Sequence, residues 1–161
     1  TLIEKRLENI KYLEEKLKDI PFLEMPKVRN GAEHVYYAHA IKYNEKMTGI
    51  HRNSFVEAVK AELMPMELRE TEGVKIGSGY VKPLYLQPLY QKLTAYGSKG
   101  FPWSYTDRKY SYAKGICPIT EDLHFNSLIT HEYMRPGMMK EDLDDVVNAF
   151  YKVLENIDEL R

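Results

Sequence analysis

An α/β chain of the α+β type, with a small, mainly antiparallel sheet of three to four strands flanked by helices, is the fold this sequence predicts. Three observations point there. Amphipathic helical periodicity opens and closes the chain, short apolar and aromatic runs bounded by turn residues fill its middle, and no repeat, low-complexity tract or internal domain boundary interrupts that order. A length of 161 residues suits one domain with a proper core, read here as a linking helix over 1–20, a mixed core over 33–137 and a terminal helix over 138–161.

Ile3, Leu7, Ile10, Leu13, Leu17 and Ile20 recur three or four apart, while Glu4, Lys5, Glu8, Lys11, Glu14, Glu15 and Lys18 occupy the other face. This is one amphipathic helix ended by Pro21, with a helical pair such as Glu14 and Lys18 adding a few tenths of a kcal/mol. If the helix normally packs on a further domain, part of its apolar stripe is expected to be under-buried. Val35 to Tyr43 has the length and composition of a buried strand. His51-Arg52-Asn53-Ser54 forms a turn in which Asn53 or Ser54 caps a helix running to about Leu63. Val74 to Ile76 is a short strand leading into a loop, and residues 96–115 are irregular. From about Lys140 to the end, Leu143, Val146, Val147, Phe150, Leu154 and Ile157 mark the buried face of a last helix, with Glu141, Asp142, Asp144 and Asp145 complementing its dipole.

Composition excludes several classes of function. Hydrophobic and charged fractions of 43% and 29% argue against disorder, and no apolar run approaches the roughly 18 to 20 residues of a spanning helix. A net charge of -1 supplies no general field for nucleic acid. No signal-peptide pattern opens the chain, so the expected compartment is the cytoplasm. The single cysteine, Cys117, rules out an internal disulfide framework and has no base near it in sequence. His34 and His39, and His124 and His131, lack the spacing of a helical zinc pair, and structural roles suit them better.

The chemistry concentrates in Gly77 to Tyr90, GSGYVKPLYLQPLY. Gly77 and Gly79 permit backbone angles closed to other residues, and Pro83 and Pro88 bias Lys82 and Gln87 towards extended conformations, so the segment is stiff between its turns. Tyr80, Lys82, Tyr85 and Gln87 supply hydroxyls, a cation and an amide, a mixture that recognises a polyhydroxylated or phosphorylated ligand. Thirteen tyrosines make this residue the compositional outlier, and tyrosine serves pockets and subunit contacts alike. Trp103, Tyr105, Arg108, Lys109, Tyr110 and Tyr112 mix aromatics with cations, a set that can stack a ring and bind phosphates or pack against a partner subunit.

The loop resembles the one near the end of the DegT/DnrJ/StrS sugar aminotransferases, close to G-x-x-x-H-Y-x-x-P-L-H-x-Q-P-x-Y. Tyr80, Pro83, Leu84, Gln87, Pro88 and Tyr90 match, while Gly79 and Tyr85 stand where histidines are common. Asp19-Ile20-Pro21-Phe22-Leu23, His34-Val35-Tyr36-Tyr37, Cys117-Pro118-Ile119-Thr120-Glu121-Asp122-Leu123 and Leu128 to Met134 resemble further family segments, in the family's order.

The resemblance implies the C-terminal small domain of a pyridoxal-phosphate-dependent enzyme that passes an amino group, usually from glutamate, to a keto sugar, often nucleotide-linked. It implies a homodimer, and places Tyr80, Lys82 and Tyr85 nearest the substrate with Gln87 beside them. The family's Schiff-base lysine lies in a large N-terminal domain. No phosphate loop, pyridinium partner or apolar-embedded lysine is legible here, so catalytic, cofactor-binding and metal-binding residues are expected to be none. The chain starts at Thr1 and enters a helix at once, which reads as a cut at a domain boundary. A stand-alone binding or assembly module that keeps the fold without chemistry remains the competing reading.

Overall fold

Thr1 starts the first helix because its hydroxyl accepts the Glu4 amide at 3.2 Å while the Glu4 side chain reaches back to the first residue. In the computed structural model, which describes residues 1–65 and 73–161, that helix is α1, Leu2–Leu17. Its stripe is covered by protein from Ile10 onward: Ile10, Leu13, Leu17 and Ile20 are buried, and exposure is confined to the first turns at Leu2 and Ile3. Lys18 pairs with Glu15 at 2.6 Å and not with Glu14, whose carboxylate is engaged by a buried histidine.

Among the described residues four strands form one sheet in the order β1-β2-β4-β3, every neighbouring pair antiparallel: β1 Leu23–Glu24, β2 His39–Tyr43, β3 Ile76–Ser78 and β4 Leu128–His131. Alternation along β2 buries His39, Ile41 and Tyr43 and exposes Ala40 and Lys42, so one face is packed and the other open. Onto the packed face lie α1, α3 (Arg52–Ala61) and α6 (Lys140–Glu155), joined through Leu13, Phe55, Val59, Val146 and Phe150 with Ile41 and Ile129 beneath them. Short helices α2 (Glu45–Thr48), α4 (Pro88–Gln91) and α5 (Pro118–Asp122) connect these parts.

Several local expectations are corrected. The strand placed over Val35 to Tyr43 begins only at His39, because Tyr36 takes φ 49, a left-handed backbone that ends any extended run, with its amide on His34 Nδ1 at 3.0 Å. The cap of α3 is His51, whose Nδ1 accepts the Asn53 amide at 3.2 Å. β3 lies two residues later than expected. β4 stops at His131, short of Met134. The last helix ends at Glu155, where Asn156 at φ -113 leads into a 3-10 turn over Ile157–Leu160.

A buried hydrogen-bonded chain fastens α1 to the sheet. The Tyr133 amide must donate, so His131 Nδ1 accepts it at 3.2 Å; His131 Nε2 then donates to His39 Nδ1 at 2.8 Å, and His39 Nε2 donates to Glu14 Oε1 at 3.0 Å. Every ring nitrogen is used once. The Tyr36 hydroxyl also reaches Glu14, at 3.5 Å. Burial, with His39 as neighbour, holds His131 well below the ordinary histidine range. In the unfolded chain the same ring titrates near 6.5, so below that pH the unfolded state binds a proton that the folded state does not. The stability contributed by the neutral ring is therefore complete above about pH 6.5 and declines as the pH falls. Thermal unfolding from pH 7.5 to 5.5 should show a falling Tm, with a shallower slope in His131→Gln; equal slopes would remove His131 from the account.

Candidate functional site

The loop that follows β3 is hung from β4 by its backbone. Gly79 N–H donates to the Leu128 carbonyl at 2.6 Å, and the Thr130 hydroxyl donates to the Gly79 carbonyl at 2.6 Å. Gly79 takes φ +72, and a Cβ there would stand 2.6 Å from the His124 carbonyl oxygen and 3.0 Å from its Nδ1. Glycine is required on both counts. Gly77, expected to need the same freedom, is instead an ordinary residue of β3 opposite Thr130.

Beyond Gly79 the prolines act as their chemistry dictates. Pro83 is buried and opens a 3-10 turn over Leu84–Leu86; Gln87 is extended at φ -66, ψ 148, and Pro88 occupies the first turn of α4. The four residues singled out in this loop take two different roles. Tyr80, 53% exposed, and Lys82 point to solvent, and the Tyr80 phenol lies against that of Tyr37, which raises its pKa, with the Glu132 charge adding to the effect. Tyr85 and Gln87 turn into the loop's own frame. Gln87 Nε2 donates to the Lys82 carbonyl at 3.1 Å, and the buried Tyr85 donates its hydroxyl to Glu121 Oε1. Burial, together with that carboxylate, pushes the Tyr85 phenol up to about 12.

Beside Tyr80 the open side of the sheet edge forms a shallow cavity of about 210 Å³, with Ala38, Lys75, Gly77, Thr130 and Glu132 in its wall. Against the other end of the loop lies the 96–115 segment, an aromatic arm. Tyr90 meets Tyr112 at 5.2 Å and Trp103 at 6.0 Å between ring centres, Trp103 Nε1 donates to the Tyr112 hydroxyl at 3.0 Å, and the Arg108 guanidinium sits 5.6 Å from the Tyr110 ring. Gln91 Nε2 bridges loop and arm, donating to the carbonyls of Tyr85 and Tyr112, both at 2.7 Å.

Hydroxyls, an ammonium and exposed rings beside a shallow polar cavity suit recognition of a polar ligand. Every lysine is exposed or half-buried. Among the described residues no three His, Cys, Asp or Glu side chains are grouped to hold a metal ion, and no helix is long and apolar enough to cross a membrane.

Sequence reasoning missed Glu121, Gln91 and Thr130, which hold the loop, and Arg52, which is 2% exposed and donates to the carbonyls of His124, at 3.0 Å, Phe125, at 2.9 Å, and Leu128. Glu121 stood inside the Cys117 to Leu123 segment without a role. Arg52 carried one signal, a cation at the start of a helix where the dipole disfavours it.

Comparison with known proteins gives a consistent picture. The model of the DegT/DnrJ/EryC1/StrS aminotransferase family matches residues 1–151. The spore coat polysaccharide biosynthesis protein SpsC of Bacillus subtilis (strain 168) is 23% identical over 142 residues, which is 88% of this chain and 29% of that protein. Among solved structures, the aminotransferase from Psychrobacter cryohalolentis superposes with a TM-score of 0.66 at 17% identity, over 98% of this chain and 35% of its own. NtdA from Bacillus subtilis, with the cofactor PMP bound, gives 0.54 at 19% identity over 94% and 28%. At these identities the structural likeness shows the fold alone. The chain spans about a third or less of the length of each of these relatives.

Proposed function

This chain belongs to the DegT/DnrJ/EryC1/StrS aminotransferase family, and we propose that it is the C-terminal small domain of a pyridoxal-phosphate-dependent aminotransferase acting on a keto sugar. The observation that carries this reading is the family match itself, which runs through nearly the whole chain and includes both the helical layer and the loop after β3. The substrate in this reading is a nucleotide-linked keto sugar, aminated from an amino donor by a homodimer in the cytoplasm, for amino-sugar or surface-polysaccharide biosynthesis. The name of the SpsC relative, a polysaccharide biosynthesis protein, supports that direction.

The Schiff-base lysine and the phosphate cradle are assigned to a larger domain elsewhere in the polypeptide, and the small domain closes over the sugar. The chain alone is then inactive and holds no cofactor, in keeping with lysines that all reach solvent. Mixed with pyridoxal phosphate, it should yield no stoichiometric adduct at a single lysine after borohydride reduction; such an adduct would overturn the assignment. The positive test is the full-length protein supplied with glutamate and a nucleotide-linked keto sugar, followed by mass detection of the amino sugar. A purified, folded, cofactor-loaded protein that binds the sugar without aminating it would favour a binding module.

Within this reading Tyr80, Lys82, Tyr85 and Gln87 form the recognition loop, with Tyr80 and Lys82 touching the substrate and the other two shaping the turn. Lys82 offers a point charge to a phosphate or hydroxyl, on a backbone held by Gln87. A charge-assisted contact is worth roughly 1.5 to 3 kcal/mol, so Lys82→Ala in the full-length enzyme should lower kcat/KM by about ten- to a hundredfold. The cofactor's absorbance should be unchanged. An unaltered kcat/KM in both Lys82→Ala and Tyr80→Phe would make the loop purely structural.

A further inference from the structure

We infer that Glu121 is a positioning residue whose carboxylate joins the recognition loop to the aromatic arm, so that the two present one preorganised surface to the sugar substrate. The inference rests on the proposed recognition role of the loop. The loop, the end of the arm and α5 meet at this one side chain, with Tyr85 lying 36 residues and Gly115 6 residues away in sequence. Its Oε1 accepts the Tyr85 hydroxyl from the loop and the Gly115 amide, at 2.6 Å, from the end of the arm, while its own backbone is held in α5 by the Cys117 carbonyl at 2.9 Å.

Only an acceptor can satisfy two donors that converge on one point, and an ionised carboxylate does so with charge-assisted bonds stronger than neutral ones. The Tyr85 hydrogen bond, with that of Gly115, keeps the Glu121 carboxyl below its ordinary range, which favours the ionised form. Tyr85 is thereby held at both ends, its phenol by Glu121 and its carbonyl by Gln91, whose second amide hydrogen goes to the Tyr112 carbonyl in the arm.

From Tyr85 the constraint passes to the substrate-facing side. Tyr85 sits in the middle of the 3-10 turn Leu84–Leu86, Gln87 follows that turn, and the Gln87 amide fixes the Lys82 carbonyl. Glu121 thus acts on Lys82 without touching it. Without its negative charge, the Tyr85 phenol and the Gly115 amide lose their strong acceptor, and the loop and arm are joined only by Gln91 and the Tyr90 ring contacts, a looser union. The expected consequence is weaker sugar binding with the chemical step intact, since ordering a loose loop on binding weakens affinity.

The test compares Glu121→Gln, Tyr85→Phe and the double variant with Lys82→Ala in the full-length, cofactor-loaded protein. Glutamine keeps the size and an acceptor oxygen, so the fold is retained and the charge is lost. Glu121→Gln and Tyr85→Phe should each raise KM for the keto sugar about tenfold while kcat stays within about twofold, and the double variant should be no worse than either alone. A readout independent of turnover accompanies this. Hydrogen exchange at the Gly115 amide should accelerate, and the Tyr85 phenol, followed by carbon NMR, should titrate at a lower pH in Glu121→Gln than in the unaltered protein, burial keeping part of the elevation.

Unchanged exchange and titration in Glu121→Gln would overturn the inference at the level of structure. Faster exchange with unchanged KM would overturn its functional part. In that second case Lys82→Ala separates the causes: a raised KM there leaves the recognition loop standing and removes only Glu121, whereas no change in either variant removes the loop as well.

Discussion

Arg52→Leu is expected to destabilise the protein by about 3–5 kcal/mol, more than any surface substitution. Arg52 opens α3, and its guanidinium is inside the protein, donating to the carbonyls of His124, Phe125 and Leu128 and, through Nε, to Asn53 Oδ1 at 2.8 Å. Two of those carbonyls belong to the π-helical turn Leu123–Ser127, where the helical ladder ends, and the third to Leu128, the first residue of β4, which also accepts the Gly79 amide. The cation matches the negative end of that turn, and its planar fork reaches several acceptors at once. Leucine would take the donor from the carbonyls of His124 and Phe125, while Leu128 keeps the Gly79 amide, at about 1–3 kcal/mol for each group that water cannot reach, and the cation's charge-assisted bonds are lost as well. Lysine, with one compact ammonium, should recover only part of the loss. Urea denaturation at neutral pH checks this, and a loss below about 1 kcal/mol in Arg52→Leu would show that water or a shifted side chain replaces the guanidinium. Because the same turn carries the His124 carbonyl that backs Gly79, Arg52→Leu should also loosen the loop after β3.

Gly79→Ala is the second large effect, expected at about 2–4 kcal/mol or as a displaced loop. Left-handed backbone costs a residue with a Cβ about 1–2 kcal/mol. The remainder comes from contact, since the new methyl would lie 2.6 Å from a backbone oxygen that Arg52 holds in place, and 3.0 Å from the His124 ring. A flexible side chain could move aside; this carbonyl cannot. Gly77→Ala is the internal control, because its nearest neighbour is Thr130 Oγ1 at 4.0 Å and its backbone is ordinary strand. That variant should lose less than about 1 kcal/mol. Comparable Tm values for the two variants would refute the steric account. The same contact explains why a residue with a side chain, such as the histidine common at this position in the resembling pattern, has no room at Gly79 here.

The ends of the chain were legible because helical periodicity is a local property. The stripe of Ile10, Leu13 and Leu17 and that of Leu143, Val146, Val147 and Phe150 are buried as the three-to-four spacing requires. Boundaries inside the middle were less so. Val35 to Tyr43 has strand composition throughout, yet the left-handed Tyr36 divides it; its carbonyl is taken by Arg6 Nη1 at 3.0 Å, thirty residues away in sequence, which no window over residues 35–43 contains.

The loop after β3 was marked by its glycines and prolines, and the extended Gln87 is what Pro88 requires of the residue before it. Which of its polar residues face outward was not marked. Tyr80 and Tyr85 are the same residue type in the same loop, and only the position of Glu121 makes one of them inward and the other exposed.

The sequence by itself determined the α+β class, the two long amphipathic helices and their buried faces, the extended Gln87 before Pro88, and the family, because each rests on residues near one another or in a set order along the chain. Tertiary structure alone decided the His39–His131 pairing across 92 residues, the burial of Arg52 under the Leu123–Ser127 turn, and the union of loop and arm at Glu121. A hydrogen bond joins groups by distance in space, and the sequence pattern around a donor carries no record of which remote acceptor the fold brings to it.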